Sequence, residues 1–197
     1  MKRAIIIHCW DGYPEYCWYP YAKKELEANG FQVEVPSFPE TNAPKLDLWL
    51  PVLKEVVGTP DEDVYLIGHS VGCVTILRYL ESLAPSQKIG GAILVAGFTD
   101  DLGFKELKNF FTTDIQLDEI KKRANHFVAI HSDDDPFVAL KYGDIFKEKL
   151  GAEVIIKHNF KHFSGSRDKE DSCVTLPDVV ESMLKISNKN NFGRKEK

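Results

Sequence analysis

The 197-residue sequence lacks the features that indicate a membrane-bound or nucleic-acid-binding protein. No run of residues is long and apolar enough to span a bilayer. Basic residues (25) are fewer than acidic residues (30), and the net charge of -5 argues against nucleic acid as a partner. We therefore expect neither a membrane nor a nucleic acid among its partners.

Cysteine is scarce as well, and its spacing has no metal-binding pattern. The four cysteines, Cys9, Cys17, Cys73 and Cys173, form no CxxC pair. The N-terminal residues combine two positive charges with a short apolar run, but that run breaks at His8 and no small-residue cleavage site follows. These features favour a cytoplasmic protein with reduced thiols and with no metal ion or organic cofactor.

What the chain does contain is an alternation of apolar runs and helical patterns. Amphipathic helical patterns lie between most of the apolar runs, and a last one covers residues 176–186. Such alternation requires helices on both faces of a mainly parallel sheet. The predicted fold is α/β, a three-layer α/β/α sandwich in one domain at residues 1–187, with a polar, frayed tail at residues 188–197. About six strands are predicted, at residues 3–8, 31–35, 63–67, 92–96, 126–130 and 153–156.

The segment Gly68-His69-Ser70-Val71-Gly72 joins the third predicted strand to a helix. A serine between a strand and a helix in this pattern indicates a nucleophile elbow. The turn is so sharp that the residues two before and two after the serine nearly touch, which only small residues allow. Ser70 would lie at a helix N-terminus, where unpaired amides and the helix dipole favour a developing negative charge. Ser70 is therefore the candidate nucleophile.

A serine nucleophile needs a base to take its proton and an acid to orient that base. An acidic run follows the fifth predicted strand at residues 133–135. Asp135 is the favoured acid, because Asp-Pro followed by two apolar residues is typical of the turn that carries the acid in enzymes with a serine nucleophile. Asp134 is the second choice, and Asp100 and Asp101 after the fourth strand are further alternatives. The competing interpretation is that the run is a solvated turn or a helix N-cap.

Two histidines, His158 and His162, lie in the loop after the sixth predicted strand. His162 is the favoured base, because it lies further from the strand end in a loop long enough to fold back over Ser70. His69 is next to Ser70 and could not act as the base without severe strain. Packing at strand ends is the expected role of the other histidines, His8, His126 and His131.

Stabilising a developing oxyanion requires two hydrogen-bond donors. We expect the backbone N–H of Val71, the residue after the nucleophile, and the backbone N–H of Trp10, in the loop after the first strand. Cys73, one helical turn after Ser70, is expected to be a small packing residue and not a second nucleophile. Aromatic residues are expected to line a substrate cleft, with Trp10, Tyr13, Tyr16, Trp18 and Tyr19 on one side and Phe104, Phe110 and Phe111 on the other.

The sequence resembles the small serine hydrolases of the retinoblastoma-binding protein 9 and YdeN group, within the α/β-hydrolase superfamily. The resemblance covers nearly all of residues 3–186 and implies a compact α/β-hydrolase fold without a large lid. It places the nucleophile at Ser70, the acid at Asp135 and the base at His162, in the chain order expected of this superfamily. The matching segments are Trp18-Tyr19, Lys23-Lys24-Glu25-Leu26-Glu27, Trp49-Leu50-Pro51, Ile67-Gly68-His69-Ser70, Asp101-Leu102-Gly103, Asp134-Asp135-Pro136-Phe137 and His162-Phe163.

The chain departs from that group at several positions. The loop after the first strand, glycine-rich in the group, reads Cys9-Trp10-Asp11-Gly12 here, and Lys161 stands where glycine commonly precedes the histidine. The Leu-x-Cys-x-Glu motif of retinoblastoma-pocket binding is absent from the sequence, so that partner is not expected.

These residues together predict a carboxylesterase-like serine hydrolase that acts through an acyl-enzyme on small esters, thioesters or amides. Its partner would be a small-molecule acyl substrate. Two alternatives remain open at this point, a peptidase-like amidase and a non-catalytic binding module on the same fold.

Overall fold

The computed structural model of the chain describes residues 1–164 and 173–195. Six strands form one sheet with the order β2-β1-β3-β4-β5-β6, and every neighbouring pair is parallel. This arrangement confirms the predicted α/β sandwich with about six strands. The strands are β1 (Arg3–Ile7), β2 (Gln32–Glu34), β3 (Val64–His69), β4 (Gly91–Val95), β5 (Phe127–Ser132) and β6 (Glu153–Lys157).

Helices cover both faces of the sheet, as the alternating side chains of β1 show. Ile5 and Ile7 pack in one hydrophobic cluster, and Ala4 and Ile6 pack in the other. A strand whose side chains are apolar on both faces is buried on both sides, which explains why β1 reads as a continuous apolar run. The helices are α1 (Tyr19–Ala28), α2 (Leu46–Val57), α3 (Val71–Glu81), α4 (Leu117–Ile120), α5 (Lys141–Leu150) and α6 (Pro177–Lys195).

The two faces recruit different helices. The first cluster contains buried residues of α2, α3 and α5, such as Trp49, Leu77 and Phe146, and the second contains buried residues of α1 and α6, such as Leu26 and Met183. Between β4 and β5 the chain is less regular, as predicted. It forms 3-10 helices at Lys105–Phe111 and Lys121–Arg123 on either side of the short α4.

The boundaries of the strands and of the last helix differ from the sequence-based prediction by one residue at most ends, and by two or more at the ends of β3, β5 and that helix. Strand β3 extends to His69, two residues past its predicted end, because the strand continues directly into the elbow. Helix α6 extends to Lys195, although a helix ending at residue 186 and a frayed tail from residue 188 were predicted. The prediction stopped where the apolar pattern stops, and the helix itself does not. Glu196 and Lys197, the end of that predicted tail, lie outside the described residues.

The strand order places the loops after β1 and β3 side by side at the carboxyl ends of the strands. The chain passes from β1 outward to β2 and then returns to β3 on the other side of β1. In open α/β sheets, ligands bind beyond the carboxyl ends of the strands at such a switch point. The loops after β1 and β3 therefore face each other across this point.

Within the described residues, no helix has the length and apolar composition needed to cross a bilayer.

His131, in β5, is a polar residue placed inside the core. Its side chain is fully buried, and neither ring nitrogen has a hydrogen-bond partner among the described residues. Burial lowers the pKa of His131 to about 4, although the nearby carboxylates of Asp135 and Asp144 act in the opposite direction. The native protein therefore holds this ring in its neutral form at any pH well above 4.

This burial predicts a loss of stability in mild acid. Below pH 6.5 the unfolded chain binds a proton at His131 that the native chain does not, so the free energy of unfolding falls until the pH reaches about 4. Replacing the ring in His131→Leu should stabilise the protein by about 1–2 kcal/mol more at pH 5 than at pH 8. Urea denaturation at both pH values measures this difference. An equal effect at the two pH values would contradict the assignment.

Candidate active site

Ser70 occupies a strained turn between β3 and α3. Its backbone lies at φ 56° and ψ -120°, in the left-handed region that L-residues rarely adopt. Its amide donates to the Val95 carbonyl at 2.9 Å, which ties the turn to β4. A Cβ on Gly68 would lie 2.7 Å from the amide nitrogen of Cys73, and a Cβ on Gly72 would collide with the Ile7 carbonyl oxygen. Both glycines are therefore required by close backbone approach, as the motif predicts.

His162 and Asp135 form a continuous hydrogen-bonded line with Ser70. The Nε2 atom of His162 lies 2.9 Å from Ser70 Oγ, and its Nδ1 atom lies 2.9 Å and 3.1 Å from the two carboxylate oxygens of Asp135. The carboxylate can only accept, so Nδ1 carries the proton and Nε2 accepts from the serine hydroxyl. The structure thus brings together the three side chains predicted as nucleophile, acid and base.

The side chains of Asp135 and His162 differ in exposure. Asp135 is almost completely enclosed, with 1% of its side chain exposed, whereas 12% of the His162 side chain is exposed. One oxygen of Asp135 also accepts the amides of Phe137 and Val138, at 2.9 Å and 3.0 Å. The carboxylate therefore both caps the turn that follows it and orients the imidazole, so the two interpretations of this residue hold together.

The other two aspartates of the run bind the same loop at other points. Asp133 contacts Nδ1 of His158 at 2.5 Å and accepts the amide of Asn159, and Asp134 accepts the amide of Lys161 at 2.8 Å. A hydrogen bond from the Ser132 hydroxyl is the main cause that lowers the pKa of Asp134 to about 2, with further help from Lys161. Three consecutive carboxylates thus hold three successive parts of one loop.

The remaining alternatives for acid and base are occupied elsewhere. Asp100 accepts the Tyr142 hydroxyl at 2.7 Å, and Asp101 accepts the Gly103 amide at 2.9 Å. His158 pairs with Asp133 and has 78% of its side chain exposed. Cys73 is fully buried with its thiol 3.3 Å from the Val95 carbonyl, and burial raises the pKa of that thiol. Cys73 is therefore a packing residue, as expected.

The loop that carries His162 has an unusual backbone. Asn159, Lys161 and Phe163 all have positive φ, at 62°, 49° and 55°. Glycine adopts this conformation without the Cβ clash that other residues incur. Lys161 therefore holds a left-handed backbone conformation that glycine would adopt at lower cost.

The two predicted oxyanion donors, the amides of Val71 and Trp10, both belong to residues that line the cavity over Ser70. Among the described residues, neither amide donates a hydrogen bond. The Cys9–Gly12 loop is held as a tight turn by the Gly12 amide, which donates to the Cys9 carbonyl at 3.0 Å. The turn needs glycine at residue 12, where a Cβ would lie 2.8 Å from the Cys9 carbonyl oxygen, while Asp11 adopts a positive φ of 55°.

The cavity has a volume of about 370 Å³ and a largely apolar wall. Of the aromatic residues predicted to form it, Trp10, Tyr16 and Phe104 do line it. The prediction was wrong for Trp18, Tyr19 and Phe110, which are fully buried in the core. Tyr13 and Phe111 lie outside the wall as well. The full lining is Cys9, Trp10, Tyr16, Ser70, Val71, Phe98, Leu102, Phe104, Leu107, Phe137, His162 and Ser164.

Some of these wall residues had no clear signal in the sequence. Leu102 and Leu107 come from the irregular segment after β4, where no periodic pattern predicts which side chains point inward. Phe137 had a signal, since it directly follows the Asp135-Pro136 turn, and its ring lies edge-on to the His162 ring at 5.1 Å. No group of three or more His, Cys, Asp or Glu side chains in the described residues is arranged to hold a metal ion.

Comparison with known proteins gives relatives along nearly the whole chain. The family model described as serine hydrolase matches residues 4–169. YdeN of Bacillus subtilis (strain 168) is 30% identical over 189 residues, which cover 95% of this chain and 97% of YdeN. The serine hydrolase RBBP9 of Rattus norvegicus is 30% identical over 170 residues, which cover 85% of this chain and 86% of RBBP9.

Solved structures agree with the sequence relatives. The crystal structure of the ydeN gene product from B. subtilis superposes with a TM-score of 0.87 at 30% identity, covering 94% of this chain and 98% of that one. Est1E from Butyrivibrio proteoclasticus superposes with a TM-score of 0.72 at 17% identity, covering 94% and 89% of the two chains. At that identity, the second match establishes a shared fold alone.

The left-handed backbone at Lys161 predicts the order of stability of two variants. Lys161→Gly keeps the amide that binds Asp134 and removes the conformational strain, whereas Lys161→Val adds a β-branched side chain that disfavours positive φ. The glycine variant should exceed the valine variant by about 1–2 kcal/mol in free energy of unfolding, measured in urea.

The matched control is Gln32, an exposed residue at the start of β2. Valine should be the more stable of the two replacements there, because an extended backbone favours β-branched residues. The same order of stability at both positions would show that the conformation of Lys161 is not the cause.

Proposed function

Because this chain belongs to the serine hydrolase family and has the α/β-hydrolase fold, we propose that it hydrolyses small carboxylic esters and thioesters through an acyl-enzyme on Ser70. The observation that carries the proposal is the line from Asp135 through His162 to Ser70, which opens into an apolar cavity. A hydroxyl hydrogen-bonded to a base whose far side is held by an acid is the arrangement that activates serine.

The first half of the reaction transfers the acyl group to the enzyme. Ser70 Oγ attacks the acyl carbon, its proton passes to Nε2 of His162, and the carbonyl oxygen becomes an oxyanion. The amides of Val71 and Trp10 donate to that oxyanion. The carbon–oxygen or carbon–sulfur bond then breaks, and the leaving group takes the proton from Nε2.

The second half repeats these steps with water. A water molecule gives one proton to Nε2 of His162 as its oxygen attacks the acyl carbon of the ester on Ser70. Collapse of the second tetrahedral intermediate releases the carboxylic acid and returns the proton to Ser70 Oγ. Asp135 remains ionised throughout and stabilises the imidazolium form of His162.

The cavity wall favours a neutral, apolar acyl group. Among the described residues, its lining contains no lysine, arginine, aspartate or glutamate, and five of its side chains are aromatic rings of Trp, Tyr or Phe. A charged acyl group would lose its hydration there without gaining an ionic partner. A volume of about 370 Å³ suits a small ligand, since it lies near the lower end of the usual range for ligand pockets.

The role of Ser70 predicts covalent labelling by a serine-directed fluorophosphonate. The intact protein should gain one adduct, on the peptide that contains Ser70, and Ser70→Ala should lose both the adduct and at least about 10³-fold of its ester hydrolysis. Mass spectrometry and p-nitrophenyl butyrate turnover measure the two effects. Ser37→Ala, at an exposed serine, is the control that should retain both.

Two outcomes would change the proposal. If the wild-type protein stays unlabelled while a control hydrolase reacts, or if Ser70→Ala keeps every measurable function, the chain is a binding module on this fold. If aminoacyl amides are cleaved with a higher kcat/KM than esters of the same acyl group, the chain is a peptidase-like amidase.

The apolar wall predicts the order of acyl groups. Along p-nitrophenyl esters from acetate to hexanoate, kcat/KM should rise by about four-fold per added methylene, because each buried methylene contributes about 0.8 kcal/mol. The hemisuccinate ester should fall well below the butyrate. Leu102→Lys adds a cation to the wall and should make the hemisuccinate ester a better substrate than the butyrate ester. Leu50→Lys, on α2 outside the cavity, should leave the butyrate ester preferred. A flat series would contradict acyl binding in this cavity.

A further inference from the structure

Tyr19 is a buried residue that contacts two loops of the site without reaching the cavity. Its side chain is fully enclosed, and its hydroxyl oxygen accepts the Cys9 amide at 3.0 Å. The same hydroxyl lies 2.7 Å from Nδ1 of His69. Cys9 is in the loop that carries Trp10, and His69 directly precedes Ser70. One hydroxyl therefore joins the loop after β1 to the elbow after β3.

His69 continues this connection to the loop of the base. Its Nε2 atom lies 2.7 Å from the main-chain carbonyl oxygen of His162, and its ring is fully buried. A carbonyl only accepts, so Nε2 carries the proton and Nδ1 is left to accept the hydroxyl of Tyr19. The hydrogen bonds thus run in one direction, from the Cys9 amide to Tyr19, and from Tyr19 through His69 to the carbonyl of His162.

Neither side chain ionises near neutral pH. Burial, and to a smaller degree the neighbouring His162, lowers the pKa of His69 to about 3. Burial likewise raises the pKa of the Tyr19 hydroxyl well above its usual value. The series of hydrogen bonds consequently keeps one proton arrangement around neutral pH.

The Cys9 end of the series is held from both sides of its backbone. The amide of Cys9 donates to Tyr19. The carbonyl of Cys9 accepts Nδ1–H of His8 at 2.9 Å and the Gly12 amide at 3.0 Å. That carbonyl and the Trp10 amide belong to one planar peptide unit, so fixing the carbonyl also fixes the direction of the Trp10 N–H. The backbone around the proposed oxyanion donor therefore has little freedom to rotate.

We propose that Tyr19 and His69 are positioning residues that hold the oxyanion loop at Trp10 and the base loop at His162 in fixed positions on either side of Ser70. This inference rests on the proposed hydrolase function. Both residues act through others, since neither lines the cavity. Their contacts matter most when charge develops on the oxyanion, because preorganised donors stabilise the transition state more than the bound ester.

The test removes the hydroxyl in Tyr19→Phe and keeps the ring in the core. We expect kcat to fall by roughly 10–100-fold with KM within about two-fold of wild type, since losing one well-placed oxyanion donor in an enzyme costs about 10²–10³ in kcat and a misdirected one costs less. Fluorophosphonate titration of reactive sites puts kcat on a per-site basis. The matched control is Tyr79→Phe on α3, whose buried hydroxyl has no hydrogen-bond partner among the described residues and whose loss should leave kcat unchanged.

A transition-state analogue separates positioning from a general loss of structure. A trifluoromethyl ketone with a butyl chain adds to Ser70 and forms an oxyanion, whereas the methyl ketone of the same chain only occupies the cavity. In Tyr19→Phe, affinity for the first should fall by the same factor as kcat/KM, and affinity for the second should stay within about two-fold. Equal losses for both ketones, or wild-type kcat in Tyr19→Phe, would overturn the proposal.

Replacing His69 tests the other end of the series. His69→Gln keeps an N–H that can reach the His162 carbonyl, whereas His69→Leu keeps none, so the glutamine variant should retain at least about five-fold more kcat per titrated site. Equal kcat in the two variants would argue against the role of His69. Failure of the wild-type protein to react with the fluorophosphonate would instead overturn the hydrolase function, which keeps the two failures distinct.

Discussion

The close approach of α3 to the end of β1 is the constraint on which the site depends. Gly72 passes so near the carbonyl oxygens of Ile7 and His8 that no side chain fits between them, and Gly68 is equally close to the first turn of α3. This contact brings the helix N-terminus beside the loop that begins at Cys9. Without it, Ser70 would still lie on a sharp turn, but Val71 and Trp10 would not line one cavity. The elbow is thus a device for joining two neighbouring strand ends, as well as a way of exposing a serine.

The fold was predictable because burial leaves a readable pattern. Strands enclosed on both faces have continuous apolar runs, and the order of those runs with helical patterns determines a parallel sheet. The apolar pattern does not mark the end of a helix or strand whose last residues are exposed or are not apolar. Helix α6 continues to Lys195 beyond Ile186 and Ser187, the last buried positions described on it, so its apolar pattern marks only the part that packs against the sheet. In the same way, β3 was predicted too short because its last residues, Gly68 and His69, are not apolar.

The proposed site could be inferred from the sequence only where chemistry and chain order agree. Ser70, Asp135 and His162 could be proposed because each follows a predicted strand and each has the side chain that its proposed role requires, and the structure places the three side chains together. Tyr19 was predicted to line the cleft. An aromatic side chain can line a cleft or pack in the core, and the sequence does not distinguish the two locations. Its contact with His69 joins residues 50 positions apart and depends on the packing of α1 against β3. A contact of that kind has no periodicity or spacing from which it could be inferred.

The base loop shows why so many contacts converge on a single histidine. Three residues of this loop adopt left-handed backbone conformations, each of which costs on the order of 1 kcal/mol or more for a non-glycine residue. Left to itself, a segment with that strain would relax to other conformations and carry His162 away from Ser70. The acidic run restrains it through contacts to His158, Lys161 and His162, and His69 holds the carbonyl of His162 from the elbow side. The loop reaches Ser70 only in a conformation that it would not adopt alone. Hydrogen bonds from the ends of β5 and β3 offset that strain and keep the loop in place.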